Sequence, residues 1–172
     1  GLSPSGLRTQ SLRTTFMKTE LHPASSRGTA DHGWLKTAFS FSFAGYYNPA
    51  RIHFGALRVL NDDYVAGGGG FQTHPHDNME IITIPLEGVV AHKDSMGNAG
   101  TITAGEVQVM SAGTGIYHSE YNKNADQEVR FLQIWVFPNA KDVTPRYDQI
   151  SLETNTESVW KELLKFYKQH RR

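Results

Sequence analysis

The hydrophobic positions in the middle of the chain follow the two-residue period of β-strands. Phe39, Phe41 and Phe43 alternate with serines, a pattern that predicts a half-buried strand. Apolar and β-branched residues predict further strands over 52–60, 79–86, 107–110 and 129–137. The last of these segments is apolar on both faces, which is typical of a central strand covered on both sides.

Turn-forming residues separate these segments and indicate an all-β fold. Glycine, asparagine and aspartate concentrate at 61–63, 67–70, 87–88, 97–98, 104–105 and 113–115. Short strands with frequent glycine turns are typical of a sandwich or barrel. No fixed-period repeat and no internal linker divides the sequence, so we predict a single domain over residues 17–150.

The two ends of the chain differ from this β-rich middle. Residues 1–16 contain no acidic residue and no apolar periodicity, and we predict a flexible leader, with Met17 as a plausible native start. In the C-terminal segment 151–172, residues 154–157 match a helix capping box. Apolar residues then recur at helical spacing and predict one amphipathic α-helix over about 157–169, whose apolar face packs on the body of the protein or on a partner.

Composition excludes several classes of protein. The 172 residues carry 17 Lys+Arg and 17 Asp+Glu, so there is no basic excess of the kind that direct nucleic-acid binding needs. Cysteine is absent, which excludes disulfides and thiolate metal sites. No apolar run approaches the roughly 20 residues that span a bilayer, and no secretory signal is present, so we expect a cytoplasmic protein.

Two histidine pairs form the most informative chemical pattern. His74 and His76 flank Pro75, and residues two apart on a strand point to the same face; Asn78 and Glu80 are predicted to continue that face. About forty residues later, His118 and Glu120 repeat the spacing. Three imidazoles and a carboxylate suit a divalent first-row metal, with coordination positions left open for water or substrate.

The other histidines have no paired ligand nearby. We predict that they are surface or core-edge residues, with His92 as a candidate to line a pocket; they are His22, His32, His53, His92 and His170.

The histidines lie within longer motifs that resemble a known family. Gly68-x5-His74-x-His76-x3-Glu80-x7-Gly88 is similar to the first cupin motif, and Gly105-x7-Gly113-x4-His118-x3-Asn122 is similar to the second. More narrowly, residues 71–149 resemble the pirin family, in particular the bacterial pirin-like proteins that include quercetin 2,3-dioxygenases. The strings that carry this resemblance are FQTHPHDNMEIITIPLEG, HKDSMGN, AGEVQVMSAGTGIYHSEYN, QIWVFP and TPRYDQ.

The resemblance implies a cupin (jelly-roll) β-sandwich with a metal ion inside the N-terminal barrel. The ligand positions of pirins correspond to His74, His76, His118 and Glu120. Ordinary cupins instead take their carboxylate ligand from the position of Glu80. We favour Glu120 because it shares a strand face with His118, and Glu80 would then lie outside the ligand set. Only 23 residues follow TPRYDQ, so the second cupin domain of typical pirins is not expected here.

The resemblance also implies a function. It predicts a metal-dependent dioxygenase that cleaves a flavonol or related enol with O2, with the metal as Lewis acid and Glu120 as the base that accepts the substrate proton. The residues themselves predict that Gln133 faces the metal pocket, because a polar residue inside an apolar strand needs a partner. Met110, Tyr117 and the strand face that carries Trp135 are candidates to line the same pocket, with core packing as the favoured alternative for most of them. The alternative is a non-catalytic, iron-dependent module that binds other proteins, as animal pirins do.

The resemblance implies iron, so Fe(II) is the expected metal, although histidine and carboxylate also bind Zn, Ni, Mn, Co and Cu. Exposed sheet edges and an apolar helix face predict a homodimer.

Overall fold

The computed structural model describes residues 20–152 and Lys165. The predicted leader and, apart from Lys165, the predicted C-terminal helix lie outside the described residues. No helix in the described part of the chain is long and apolar enough to cross a membrane. A 3-10 helix at Ala24–Ser26 precedes eleven strands: β1 (Gly28–Asp31), β2 (Leu35–Phe39), β3 (Leu57–Val65), β4 (Gly70–His76), β5 (Glu80–Glu87), β6 (Val89–Asp94), β7 (Ala99–Thr103), β8 (Glu106–Ser111), β9 (Ile116–Asn122), β10 (Val129–Val136) and β11 (Arg146–Ser151).

The strands form two antiparallel sheets, which confirms the predicted all-β class. The larger sheet has the order β1-β2-β3-β10-β5-β8-β11, and the smaller has the order β4-β9-β6-β7. Strand β10 lies between β3 and β5, as predicted for a central strand. The predicted burial on both faces is not found: Val129, Phe131 and Gln133 are buried on one face, whereas Arg130, Leu132 and Ile134 on the other keep partial exposure.

Two apolar clusters occupy the space between the sheets and leave a polar band in the middle. Phe131 of β10 packs in one cluster with residues of both sheets, and Trp135 packs against the other cluster. Gln133 lies between them on the same face of β10. Each fully buried apolar side chain of this size stabilises the fold by about 1.5–3 kcal/mol, so the clusters hold the band rigidly from both ends.

The predicted strand through Phe39, Phe41 and Phe43 is wrong beyond its first residue. Strand β2 ends at Phe39, and the chain then turns, with Ala44 at a positive φ of 48°. The hydroxyl of Ser42 accepts a hydrogen bond from the backbone N–H of Asn48 at 2.8 Å and donates to the Asn48 carbonyl at 2.9 Å. These bonds hold a compact loop in place of a strand.

The predicted turn at Asn61, Asp62 and Asp63 is also wrong, since these residues lie inside β3 and are buried. Asp62 accepts two hydrogen bonds of 3.0 Å from Arg130 on the neighbouring strand. Arg27 donates a third, of 3.3 Å, to the same carboxylate. The bond from Arg130 is the main cause that holds the pKa of Asp62 below its ordinary value. Partners distant in sequence thus make an acidic strand stable where local preference indicates a turn.

Candidate metal centre

Three histidines from two paired strands converge at one end of the polar band. His74 and His76 lie on β4 and His118 lies on β9, where His74 and His118 are directly opposite in the register. One ring nitrogen from each side chain lies within 4.8 Å of those of the other two. The ring centroids are 4.5–4.9 Å apart, so the imidazoles surround a common point. The structure therefore brings the predicted histidines together.

The position of β4 in the sheet explains why Pro75 is tolerated between two ligands. Strand β4 is an edge strand of the smaller sheet, and proline, which cannot donate a backbone hydrogen bond, is confined to such positions within sheets. The alternation of a strand directs His74 and His76 to the inner face and Pro75 to the outer face.

The local environment keeps these imidazoles in the form that binds metal. Burial, followed by the neighbouring histidines, lowers the pKa of His118 to about 2. Burial and the charge of His74 lower the pKa of His76 to about 4. Both rings are therefore neutral at pH 7, as metal ligation requires. Nδ1 of His74 lies 2.7 Å from the carbonyl oxygen of Gln72, which can only accept; Nδ1 therefore donates, and Nε2 is the ring nitrogen that is available to a metal.

The buried nitrogens of His118 test whether a metal fits this site. Both are shielded from solvent and have no hydrogen-bond partner among the described residues. A buried polar group without a partner costs about 1–3 kcal/mol, and a metal ion bound to one nitrogen would remove that cost there. Three imidazoles in a compact group are a donor set for Fe, Ni, Cu or Zn. The residues present therefore fit a divalent transition metal.

Glu120 lies beside the histidines but outside the group whose ligand atoms are mutually close. It is buried on β9, two residues after His118. Its Oε1 accepts a hydrogen bond of 2.9 Å from Thr83, and its Oε2 accepts one of 2.8 Å from Gln133. Burial raises the pKa of Glu120, and these two hydrogen bonds oppose the rise. The larger sheet therefore holds a carboxylate next to the three imidazoles.

Glu80, the alternative carboxylate, does not continue the face of His74 and His76. The chain turns at Asn78, which has a positive φ of 44°, and Glu80 begins β5 in the other sheet. Its Oε1 accepts a 2.6 Å hydrogen bond from the hydroxyl of Ser111. Glu80 is also outside the group of three histidines among the described residues.

The three predicted pocket residues lie in three different environments. Gln133 reaches the site, where it contacts Glu120. Met110 is fully buried in the apolar cluster of Ile81 and Ile116 and serves as core. Tyr117 alternates with His118 along β9, faces away from the site and is 57% exposed, so it does not line a pocket. The alternation that places His118 inside also places Tyr117 outside.

Thr83 and His92 also lie at the site, although neither was predicted to be a site residue from its sequence pattern alone. Thr83 is fully buried and donates to Glu120, but a threonine in an apolar strand carries no distinctive signal. His92 was expected at the surface or core edge, with a place in a pocket as a candidate role; the expected exposure is wrong, because His92 is only 2% exposed. Its ring lies 5.4 Å from that of His118 and stacks on Tyr147 at 4.8 Å. The available signal was the two-residue spacing along β6, which places His92 on the same buried face as Val90 and Asp94.

Comparison with known proteins identifies close relatives. The family model described as Pirin matches residues 20–136. A protein named quercetin 2,3-dioxygenase from Escherichia coli K12 is 54% identical over 129 residues, covering 75% of this chain and 56% of the relative. A pirin-like protein from Caulobacter vibrioides is 50% identical over 125 residues, covering 73% of this chain and 53% of the relative. The chain thus spans about half the length of these relatives.

Solved structures agree with the sequence comparison. The crystal structure of YhhW from Escherichia coli superposes with a TM-score of 0.76 at 52% identity, covering 77% of this chain and 57% of that chain. A second structure, bacterial pirin YhhW in complex with nickel(II), has a TM-score of 0.74 at 52% identity and covers 76% and 56% of the two chains.

Proposed function

The chain belongs to the pirin family, whose fold is the cupin β-sandwich, and we propose that it is a metal-dependent dioxygenase acting on a flavonol or related enol. One observation carries the proposal: three imidazole groups have ligand atoms within 4.8 Å of one another, and the buried carboxylate of Glu120 follows His118 by two residues on the same strand face. The name of the relatives, quercetin 2,3-dioxygenase, supports the substrate class.

Each residue of the site has a definite role in this proposal. His74, His76 and His118 would hold the metal, with Glu120 either completing the ligand set or standing beside it. When bound, the metal would act as a Lewis acid toward the enol oxygen of the substrate and would thereby activate the substrate for reaction with dioxygen. We propose Fe(II) as that metal; the nickel(II) complex of the related YhhW supports a site that accepts late first-row ions.

Glu120 is the proposed base that removes the hydroxyl proton of the substrate. Its burial raises its pKa, which increases its affinity for a proton relative to an exposed carboxylate. Thr83 and Gln133 each donate to one of its oxygens, which fixes the plane of the carboxyl group. Each oxygen keeps a further lone pair as a proton acceptor.

An aromatic wall beside His76 is the proposed contact for a planar substrate. The ring of Trp135 meets that of His76 edge-on at a centroid distance of 4.9 Å. Phe43 in turn packs edge-on against Trp135 at 5.2 Å. Aromatic surfaces of this kind bind planar phenolic rings through offset or edge contacts worth about 0.5–1.5 kcal/mol per pair beyond area burial.

Oxygen consumption with quercetin tests this function. The protein is loaded with Fe(II), and oxygen uptake is followed with an electrode for the wild type, His118→Ala and the exposed-histidine control His32→Ala. We expect uptake by the wild type and the control and none by His118→Ala. A protein that binds one metal per chain but consumes no oxygen with quercetin or simpler enols would contradict the enzyme and favour the protein-binding module.

We also propose that two copies of the chain associate. Phe54 is 77% exposed, and Phe137, which packs against the neighbouring His53, is 41% exposed. Exposed aromatic residues close together are typical of an interaction surface. Light scattering coupled to size-exclusion chromatography should give the mass of a dimer, and Phe54→Ser should shift it toward the monomer. A monomeric wild type at high concentration would contradict this proposal.

A further inference from the structure

A second buried histidine lies against the metal centre and has no role in the proposed chemistry. We propose that His92 positions the ligand His118 by accepting a hydrogen bond from the ring N–H of His118 that does not bind the metal. The inference rests on the proposed metal site and adds a residue outside its ligand set. His92 is a positioning residue in this proposal, since it acts through His118.

The sheet places the two rings next to each other inside the barrel. Strand β6 pairs with β9 so that His92 is directly opposite Glu120, and His118 lies two residues before Glu120 on the same face. The His92 and His118 rings are 5.4 Å apart between centroids with an interplanar angle of 56°. Their exposed fractions are 2% and 1%. The two rings therefore share a dry contact in which a hydrogen bond is not weakened by water.

All four nitrogens of these two rings are buried without a hydrogen-bond partner among the described residues. The metal would satisfy one nitrogen of His118 and leave its other N–H unpaired. A neutral imidazole offers one donor and one acceptor, so His92 is able to accept from that N–H. One hydrogen bond between the rings would then satisfy two of the three nitrogens that the metal leaves without a partner.

The comparison with His74 supports this assignment. Metal-binding histidines almost always donate their second N–H to a fixed acceptor, which sets the tautomer and the direction of the ring. His74 has such an acceptor in the carbonyl of Gln72, at 2.7 Å. Within residues 20–152, neither ring nitrogen of His118 has such a hydrogen bond, and the ring of His92 lies 5.4 Å from that of His118 between centroids.

Tyr147 holds His92 in an orientation that suits this role. The two rings stack nearly in parallel, with centroids 4.8 Å apart and an interplanar angle of 18°. The hydroxyl of Tyr147 donates to Gln149 at 3.0 Å, and Gln149 donates to the carbonyl of Thr101 at 3.0 Å. Stacking engages the face of the imidazole of His92 and leaves its edge, where the nitrogens are, available to His118.

Metal affinity of matched variants tests the inference. His92→Phe keeps a ring that stacks on Tyr147 but has no acceptor, His92→Gln restores an acceptor, and His32→Phe is the exposed control. Zinc affinity is measured by competition with a chromophoric chelator. We expect binding about 10–100-fold weaker in His92→Phe, an affinity closer to wild type in His92→Gln, and no change in the control. Binding by His92→Phe within twofold of wild type would overturn the inference.

Two further measurements on the wild-type protein separate the alternatives. Long-range 15N–1H NMR of the zinc-loaded protein should show His118 protonated at its non-metal nitrogen and His92 with one fixed acceptor nitrogen. X-ray absorption should not count His92 among the imidazole ligands, so the number of ligands stays the same in His92→Phe; loss of one imidazole there would make His92 a ligand. Failure of the wild type to bind zinc at all would overturn the metal centre itself, and this inference with it.

Discussion

Substitution of Thr83 by valine isolates the contribution of one hydrogen bond to the state of Glu120. The two side chains have nearly the same shape, and Thr83 is fully buried, so the change removes the hydroxyl without opening a cavity. The substitution removes the 2.9 Å contact from the Thr83 hydroxyl to Oε1 of Glu120, together with a longer contact of 3.2 Å from the same hydroxyl to Oε1 of Gln133. Gln133 remains as the donor to the other oxygen.

The expected magnitude follows from the charge of the acceptor. A hydrogen bond to an ionised group contributes about 1.5–3 kcal/mol, and one pKa unit corresponds to 1.36 kcal/mol. Because the bond from Thr83 lowers the pKa of Glu120, its removal should raise that pKa further. A carboxylate must lose its proton to bind a metal, so the midpoint of pH-dependent metal binding should move to higher pH.

Calorimetric titration with Ni(II) between pH 5 and pH 9 measures this midpoint. Thr103→Val is the matched control, because the Thr103 hydroxyl donates a 3.1 Å hydrogen bond to the carboxylate of Glu106 in an exposed pair. We expect an upward shift for Thr83→Val and none for the control. Superimposable pH profiles for Thr83→Val and wild type would refute the role of Glu120 as an ionised partner of the metal.

Three other predictions follow from the described contacts. Burial raises the pKa of Asp63 from 3.8 to about 7, so the metal-free protein should lose up to about 4 kcal/mol of stability as the pH rises from 4 to 7. Urea unfolding measures this loss, and Asp63→Asn should abolish it. An Asp63→Asn variant whose stability keeps the same pH dependence would contradict the assignment. Gly113→Ala should lower the free energy of unfolding by about 2 kcal/mol or more, since Gly113 has a φ of 48° and a methyl group there would meet a backbone carbonyl. In the control Gly100→Ala the methyl group meets open space, so the loss should be less than about 1 kcal/mol. Equal melting temperatures of the two variants would refute this prediction. Glu120→Gln should weaken Ni(II) binding more than Glu80→Gln, and the reverse order would assign the carboxylate role to Glu80.

The histidine centre was predictable because its geometry depends on local alternation and a single strand pairing. His74 and His76 must share a face on any strand, and His118 and Glu120 must do the same. The pairing of β4 with β9 then brings the two sets together. The same rule carried too far produced the error at Glu80, because it assumes that the strand continues through Asn78, where the backbone turns.

The remaining errors concern contacts between residues that are distant in sequence. Asp62 is stable inside β3 because Arg130, 68 residues later, pairs with its carboxylate. His92 becomes a buried neighbour of His118 because Tyr147, 55 positions further along the chain, stacks on its other side. Neither pairing is visible in the residues around it, so local sequence favoured a turn in one case and a surface or core-edge histidine, with only a candidate place in a pocket, in the other.

The metal content of purified protein tests the central claim most directly. The wild type and the double variant His74→Ala/His76→Ala are loaded with Fe(II) or Ni(II), desalted and subjected to elemental analysis, with circular dichroism to verify the fold. The account predicts about one metal ion per chain in the wild type and none in the double variant, with the β-sheet spectrum unchanged. A double variant that keeps a full equivalent of metal would contradict the assignment of this site.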